Sequence, residues 1–283
     1  MKKYQLGLYE KAMPGDLSVP QKLIETRDAG FDYLELSIDE SDEKLARLDW
    51  TEGEINGLRR AVEESGVQIL SICLSGHRKF SLGDPDEDIR KRGLAIMEKA
   101  VNLAGRLGVR IIQLAGYDVY YKTGDENTRA LFAENLSRSV ETASRQGVIL
   151  AFETMETPFL DTVEKAMYWV KRIESPYLQV YPDIGNLTNA AKVYGHDVLA
   201  DLESGRGHIA ALHLKETVPG VYREVPYGTG HVDFAAAVKK AVALGIRLYV
   251  GEFWHKGEET WREILRNNNV FLRGFLDYEI SVY

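Results

Sequence analysis

Apolar residues along the chain fall into short continuous runs that alternate with longer segments of helical spacing. The runs are rich in Val, Ile, Leu and Tyr and show little polar alternation, which is typical of strands buried on both faces of a parallel sheet. Eight such runs occupy residues 4–9, 33–38, 67–74, 109–115, 148–153, 177–183, 209–215 and 247–253. The pattern predicts eight strands in repeated β-α units.

The segment between the third and fourth runs illustrates the predicted helices. Its apolar side chains form one helical stripe, made up of Leu94, Met97, Val101, Ala104 and Leu107. Gly108 follows this stripe and is a signal for the end of a helix. Glycines end other predicted helices in the same way, at Gly30, Gly66, Gly147 and Gly245.

Eight β-α units in 283 residues fit one closed barrel, and no Pro/Ser-rich linker or charge block divides the chain. The alternative is an open doubly wound sheet. A dinucleotide-binding sheet of that kind usually has a glycine-rich turn after its first strand, whereas here Tyr9 is followed by Glu10, Lys11 and Ala12. We therefore predict an α/β fold, a single (β/α)8 TIM barrel over residues 1–283.

Charge and composition exclude some classes of partner. A formal net charge of −8 disfavours the broad basic surface that binding to nucleic acid requires. The chain contains no apolar run long enough to span a bilayer, and its first residues do not resemble a secretory signal. Cys73 is the only cysteine, which suits a reducing compartment. We expect a cytoplasmic protein with no nucleic-acid or membrane partner.

In such barrels the active site forms at the carboxyl ends of the strands, so the last polar residue of each run is a candidate site residue. These residues are Glu10, Glu35 or Ser37, Ser75 with His77, Gln113, Glu153, Asp183, His213 and Glu252. Carboxylates on buried strands are costly unless positive charge compensates them. The last four residues together predict a site for one divalent ion, Mn²⁺, Mg²⁺, Co²⁺ or Zn²⁺.

Two positions leave a choice between neighbouring residues. Glu156 could replace Glu153, but Glu153 ends the apolar run directly, and Glu156 in the following loop is better suited to supporting a ligand or contacting substrate. His208 precedes the seventh run and is therefore expected at the opposite end of the barrel. His213 remains as the candidate histidine ligand.

Several segments are familiar in type and order: FETMET at 152–157, YPDIGN at 181–186, HLKET at 213–217 and GEFW at 251–254. They resemble the xylose-isomerase-like barrel superfamily. GLYEKAMP at 7–14, CLSGHRKFSLGD at 73–84 and IQLAGYDVYY at 112–121 narrow the resemblance. These segments are similar to the L-ribulose-5-phosphate 3-epimerases, also called L-xylulose-5-phosphate 3-epimerases, of L-ascorbate utilisation. The resemblance covers nearly the whole chain.

The resemblance implies epimerisation at carbon 3 of a ketopentose 5-phosphate, with a metal bound by Glu153, Asp183, His213 and Glu252 and with the two glutamates transferring protons. The chemistry agrees, because carbon 3 lies beside a carbonyl and its proton can leave to form an enediolate. Inversion requires one base and one acid on opposite faces of the sugar. Strands five and eight, which carry the glutamates, are expected to stand across the barrel from each other.

Further residues are expected to contact the substrate. Related epimerases of free ketohexoses carry a histidine three residues after the metal-binding aspartate, and here that position is Asn186. Arg223 matches the basic substrate-binding position of the superfamily, and Gln113 and Glu156 are further candidates. The 5-phosphate requires a local basic pocket, for which the candidates are His77, Arg78, Lys79, Lys215 and Arg223.

Three alternative functions are weighed against epimerisation. A DNA-repair endonuclease of the same superfamily would need more metal ligands and a basic surface, and the charge of −8 disfavours it. An aldose-ketose isomerase or an inosose-type dehydratase would use a similar metal and acid-base pair. A non-enzymatic sugar-binding protein would not need all four ligands. Exposed aromatic residues, expected at Tyr120, Tyr121 and Trp261, indicate a homo-oligomer, with a dimer as one form.

Overall fold

The computed structural model describes residues 3–282, and its strands coincide with the eight apolar runs. Within these residues the strands are β1 (Gln5–Tyr9), β2 (Tyr33–Ile38), β3 (Gln68–Leu74), β4 (Ile111–Ala115), β5 (Ile149–Glu153), β6 (Leu178–Tyr181), β7 (Leu212–Leu214) and β8 (Leu248–Gly251). All pair in parallel, in the order β6-β5-β4-β3-β2-β1-β8-β7. The predicted (β/α)8 barrel is confirmed.

The two end strands of this order, β6 and β7, meet through isolated bridges instead of a continuous ladder. Val180 N donates to His208 O at 2.8 Å, and Ala210 N donates to Val180 O at 2.9 Å. Nearer the carboxyl ends, His213 N donates to Pro182 O at 2.9 Å. These bonds nearly close the barrel and leave the β6–β7 junction as the one with the least regular pairing.

Helices follow the strands and cover the outside of the barrel. Their bounds are α1 (Val19–Asp28), α2 (Asp42–Ala46), α3 (Glu52–Ser65), α4 (Glu87–Leu107), α5 (Glu126–Arg145), α6 (Val163–Ile173), α7 (Ile184–Tyr194), α8 (Val198–Ser204), α9 (Phe234–Ala243) and α10 (Trp261–Val282). Short 3-10 helices lie at Glu10–Ala12, Arg47–Asp49 and Ser75–Arg78. Among residues 3–282, no helix combines the length and apolarity needed to cross a membrane.

Local sequence explains where these helices begin and end. Thr51 caps α3 and exchanges hydrogen bonds with Glu54, which satisfies backbone N–H groups of the first turn. Gly66 and Gly108 end α3 and α4 with φ of 72° and 78°, a left-handed conformation that glycine adopts without steric cost. Each glycine lets the chain leave its helix and enter the next strand, β3 or β4.

The apolar core forms two layers. The larger layer lies between the strands and the helices, and it includes Met97, Val101 and Ala104 of the predicted stripe. The smaller layer fills the barrel interior, with residues such as Tyr33 and Tyr181. A packed interior leaves no channel, so the mouth at the carboxyl ends of the strands is the place for a site.

The aromatic residues expected on the surface are only partly exposed. Tyr121 is 65% exposed, but Trp261 is buried at 9% because it begins α10 and packs into the core. Tyr120 is half-buried against Tyr117 and Tyr121. The expectation that Trp261 is exposed was therefore wrong, and Tyr121 is the exposed member of the three.

Candidate active site

Four side chains converge at the carboxyl-terminal mouth of the barrel. Glu153 is the last residue of β5, Asp183 caps α7 directly after β6, His213 is the middle residue of β7, and Glu252 follows β8. One ligand-type atom from each lies within 4.8 Å of the others, and all four side chains are buried. The predicted metal-ligating residues are thus brought together in one group that could hold an ion.

On three of these side chains, one polar atom is already in hydrogen-bond contact with a neighbouring group. Asn186 N donates to Asp183 Oδ1 at 2.7 Å, and Gln113 Nε2 donates to Glu153 Oε2. The imidazole Nε2 of His213 lies 2.7 Å from a carboxylate oxygen inside the barrel. Each of these contacts leaves a second atom turned toward the centre of the group.

Three further atoms of the group are buried without a hydrogen bond of normal geometry, although Lys215 Nζ lies 3.2 Å from two of them. These atoms are Asp183 Oδ2, His213 Nδ1 and Glu252 Oε2. His213 Nδ1 lies 3.5 Å from Glu153 Oε1, 3.2 Å from Glu252 Oε2 and 3.9 Å from Asp183 Oδ2. Buried polar atoms without partners are rare, and three carboxylates with one imidazole suit a borderline-hard divalent ion. The side chains present therefore fit the predicted metal.

Lys215 is the cationic side chain closest to this group. Its Nζ lies 3.2 Å from both Asp183 Oδ2 and Glu252 Oε2, and the side chain is buried. Burial raises the pKa of Asp183, reinforced by Glu252 and Glu153 and opposed by Lys215. Burial would also raise the pKa of Glu252, but Lys215 and His213 hold it well below its usual value. The group thus concentrates negative charge that attracts cations.

A small cavity of about 80 Å³ opens beside these residues. It is lined by Tyr9, Lys11, Cys73, Ser75, Arg78, Glu153, Met155, Glu156, Asn186, Lys215, Tyr222, Arg223, Glu252 and Trp254. Four cationic side chains therefore line the wall of a cavity in an acidic protein, which suits a small anionic ligand.

One wall of the cavity is organised around Glu156. Its Oε2 accepts from Tyr117 Oη at 2.6 Å, and its Oε1 accepts from Tyr120 Oη and from Arg223 at 3.1 Å each. Arg78 lies over the rings of Tyr117 and Tyr120, at 5.9 Å and 5.3 Å, and its Nε is buried without a hydrogen-bond partner. Among the described residues, no carboxylate lies within ion-pair distance of Arg78.

Asn186 lies in the first turn of α7, three residues after Asp183. Its Nδ2 donates to Thr154 O at 2.7 Å, whereas its Oδ1 is buried without a partner and the residue lines the cavity. Of the other predicted contacts, Glu156, Arg223, Arg78 and Lys215 line the cavity, and Gln113 reaches the site through Glu153.

Two predicted phosphate contacts lie outside the cavity lining. The His77 ring is buried with Nε2 3.0 Å from Gly93 O in α4, and burial lowers its pKa to about 4. An imidazole with this pKa is neutral near pH 7, and its Nε2 contacts α4. Lys79 is exposed, with its Nζ over the ring of Phe80. The structure therefore does not bring His77 or Lys79 to the site.

Glu10 follows β1 but does not reach the site either. Its carboxylate accepts from Lys22 at 3.1 Å, Lys44 at 2.9 Å and Arg47 at 2.5 Å, as well as from Ser37 N at 2.8 Å. Burial would raise the pKa of Glu10, but the three cations lower it to about 2. This buried ionic cluster joins β1 to α1 and to α2 with the turn that follows it, so Glu10 has a structural position.

Sequence reasoning did not identify several residues that line the cavity. Lys11 lies one residue beyond Glu10 and pairs with Asp39 at 2.6 Å, and Trp254 lies two residues beyond Glu252. Tyr222 precedes Arg223 in the loop after β7. Proximity in sequence to a predicted residue was the signal available for all three.

The strands that carry the two glutamates are not diametrically opposed. Along the strand order, β6 and β7 lie between β5 and β8 on one side, whereas a strand directly across would be four positions away. The expectation that β5 and β8 stand directly across the barrel from each other was thus wrong. Glu153 and Glu252 nevertheless reach the cavity from different walls, with two ligand strands between them.

Fold and site together define an α/β-barrel enzyme with a candidate metal centre. A family model described as xylose isomerase-like TIM barrel matches residues 23–273. The chain belongs to this family.

Comparison with individual relatives confirms the resemblance to the L-ribulose-5-phosphate 3-epimerases. L-ribulose-5-phosphate 3-epimerase UlaE of Salmonella heidelberg (strain SL476) is 43% identical over 266 residues, covering 94% of this chain and 90% of that protein. SgbU of Escherichia coli (strain K12), whose name assigns the same activity provisionally, is 46% identical over 274 residues, 94% of each chain. The chain is an enzyme of the isomerase class.

Solved structures share the fold at lower identity. D-psicose 3-epimerase from Clostridium cellulolyticum H10, solved with D-tagatose, superimposes with a TM-score of 0.80 at 18% identity, covering 96% of this chain and 99% of that chain. An L-ribulose 3-epimerase gives 0.79 at 18% identity, covering 98% and 96%. At these identities the likeness concerns the barrel alone.

Proposed function

We propose that this protein is a metal-dependent epimerase acting at carbon 3 of a ketopentose 5-phosphate, interconverting L-ribulose 5-phosphate and L-xylulose 5-phosphate. The observation that carries the proposal is the group of four buried ligand-type side chains beside a cavity whose lining includes four cationic side chains. The names of relatives at 43% and 46% identity support the substrate.

Glu153, Asp183, His213 and Glu252 would hold one divalent ion, Mn²⁺, Mg²⁺, Co²⁺ or Zn²⁺, through the atoms that face one another. Such an ion supplies electrophilic stabilisation of negative charge on the sugar oxygens at carbons 2 and 3. Gln113, through its hydrogen bond to Glu153 Oε2, fixes the orientation of that carboxylate.

Glu153 and Glu252 are the proposed acid-base pair. One carboxylate removes the proton from carbon 3, which is acidified by the neighbouring carbonyl, and the other delivers a proton to the opposite face of the enediolate. Their roles exchange in the reverse direction. Both side chains line the cavity but approach it from β5 and β8, so a sugar between them presents different faces to the two.

Arg78 is the proposed phosphate contact. Lys215 lies between two carboxylates, and Arg223 is paired with Glu156, so the positive charge of each is already compensated. Arg78 lines the cavity with a buried, unpartnered Nε and can offer its planar fork to phosphate oxygens. Asn186 Oδ1, Glu156 and Arg223 then face the sugar hydroxyls.

The test is proton NMR of L-ribulose 5-phosphate with the enzyme in deuterium oxide. Exchange of the proton at carbon 3, with appearance of L-xylulose 5-phosphate, is the expected result. Exchange at carbon 1 with formation of an aldose would establish an aldose-ketose isomerase, and loss of water a dehydratase. Metal content per chain, measured on the same sample, separates an enzyme that lacks its ion from a protein that only binds sugar.

The cytoplasmic location and the homo-oligomeric assembly expected from the sequence belong to the same proposal. Light scattering of the purified protein tests the second. A mass of one chain, 31.9 kDa, would contradict it.

A further inference from the structure

We infer that Glu35 is a positioning residue that holds His213 with its proton on Nε2, so that Nδ1 is presented to the ion. The inference rests on the metal site of the proposed function and assigns a role to a residue outside the ligand group. Glu35 lies in the middle of β2, and its side chain is fully buried inside the barrel.

The contact between these side chains is short and shielded from solvent. Glu35 Oε1 lies 2.7 Å from His213 Nε2, and neither residue is exposed. On the opposite side of the ring, Nδ1 faces the carboxylates of Glu153 and Glu252. The imidazole therefore bridges Glu35 and the ligand group.

Two hydroxyl groups orient the Glu35 carboxylate. Ser71 Oγ donates to Glu35 Oε2 at 2.6 Å, and Tyr181 Oη donates to the same oxygen at 2.9 Å. Because both donors bind Oε2, Oε1 is left for the imidazole. A carboxylate held by two donors on one oxygen acts as an acceptor toward its third neighbour.

A neutral imidazole carries one N–H, and its position decides whether the ring can bind an ion at Nδ1. With the proton on Nδ1, the Nε2 lone pair would face a carboxylate lone pair at 2.7 Å, and Nδ1 would have no lone pair to donate. With the proton on Nε2, the ring donates to Glu35 and Nδ1 is free. Hydrogen bonds of this kind from a ligating histidine to a carboxylate orient the ring and raise its basicity.

The test measures Zn²⁺ affinity of metal-stripped protein by competition with a chromophoric chelator. Glu35→Ala should weaken Zn²⁺ binding roughly 10- to 100-fold, the usual effect of removing such a partner. Glu35→Gln should weaken it less, because its amide oxygen still accepts from Nε2–H. Glu216→Gln, at a buried carboxylate outside the ligand group, is the matched control and should leave the affinity unchanged.

A second measurement reads the proton directly. In Zn²⁺-loaded, ¹⁵N-histidine-labelled protein, His213 should show a slowly exchanging Nε2–H resonance that is lost in Glu35→Ala. The inference would be overturned if wild-type protein and folded Glu35 variants bound Zn²⁺ with equal affinity. A His213 proton found on Nδ1 would overturn it as well. Wild-type protein that binds neither Zn²⁺ nor Mn²⁺ would instead overturn the metal site of the proposed function.

Discussion

Arg223 donates a hydrogen bond of 3.1 Å to Glu156 Oε1, whereas Arg78, on the same cavity wall, has no carboxylate partner among the described residues. Replacing Arg78 by Ala should therefore raise KM for L-ribulose 5-phosphate roughly 10- to 100-fold, the loss of about 1.5–3 kcal/mol from a charge-assisted hydrogen bond. KM for unphosphorylated L-ribulose should change little. Lys79→Ala, at the exposed neighbouring position, serves as control. Equal effects on both sugars would remove Arg78 from the phosphate site.

Replacing Glu153 or Glu252 by Gln keeps the size of the side chain and removes the base. We expect turnover to fall about 10²- to 10⁴-fold in either variant while the fold persists. Each residue is also a proposed ligand, so metal occupancy is measured alongside steady-state rates. A metal-loaded variant with near-normal epimerisation would refute the two-glutamate mechanism.

Glu216 holds the loop between β7 and α9 that carries Arg223. Its carboxylate accepts from Thr217 N and Val232 N at 3.1 Å and from Gly228 N at 3.0 Å. In Glu216→Gln the amide group confronts a backbone N–H, so the loop should shift and KM rise roughly tenfold, about 1.4 kcal/mol. Zn²⁺ affinity should be unaffected. A change in Zn²⁺ affinity with KM intact would show that Glu216 acts on the ligand group instead.

His77 makes stability depend on pH in a defined window. Its pKa is about 4 in the folded protein and 6.5 in the unfolded chain, so the unfolded chain binds the extra proton first. The stability contributed by neutral His77 is present above pH 6.5 and is lost as pH falls toward 4, by about 3 kcal/mol in total. Urea denaturation of wild type and His77→Gln at pH 7 and pH 5 should show a smaller loss in the variant. Parallel curves would contradict the prediction.

The ionic cluster around Glu10 should depend strongly on its single anion. Glu10→Gln leaves Lys22, Lys44 and Arg47 buried without a counter-charge, and we expect a loss of about 3–5 kcal/mol in the free energy of unfolding. Adding Lys22→Met should restore part of that loss by removing one buried cation. Denaturant titration of the single and double variants measures both effects. A single variant within about 1 kcal/mol of wild type would show that water or other groups compensate the cations.

The barrel and its four-residue ligand group could be predicted because parallel strands repeat one geometry. A polar residue at the end of a buried run must lie at the mouth when its side chain points inward, as it does for Glu153 and Glu252. The same rule failed for Glu10 and His77. The chain has turned into a 3-10 helix at both positions, so the direction of the side chain is set by tertiary neighbours.

Other features depend on contacts between distant segments. Glu35 and His213 are 178 positions apart, and a strand-end rule considers each strand alone, so their hydrogen bond could not be inferred. Lys215 could be placed near the site, but its position between Asp183 and Glu252 depends on how α7 and β8 are packed. Trp261 was assigned to the surface from residue type, whereas the docking of α10 decides its burial.

The position of the ligand group at the junction between β6 and β7 links ion binding to the stability of the barrel. Asp183 and His213 face each other across this irregularly paired junction, so an ion bound by both would hold β6 and β7 together. Ion binding and barrel closure would then be thermodynamically linked. Amides at the junction would exchange with solvent more slowly as the ion is taken up. The concentration of available metal ion would then affect the resistance of the protein to proteolysis as well as its catalytic rate.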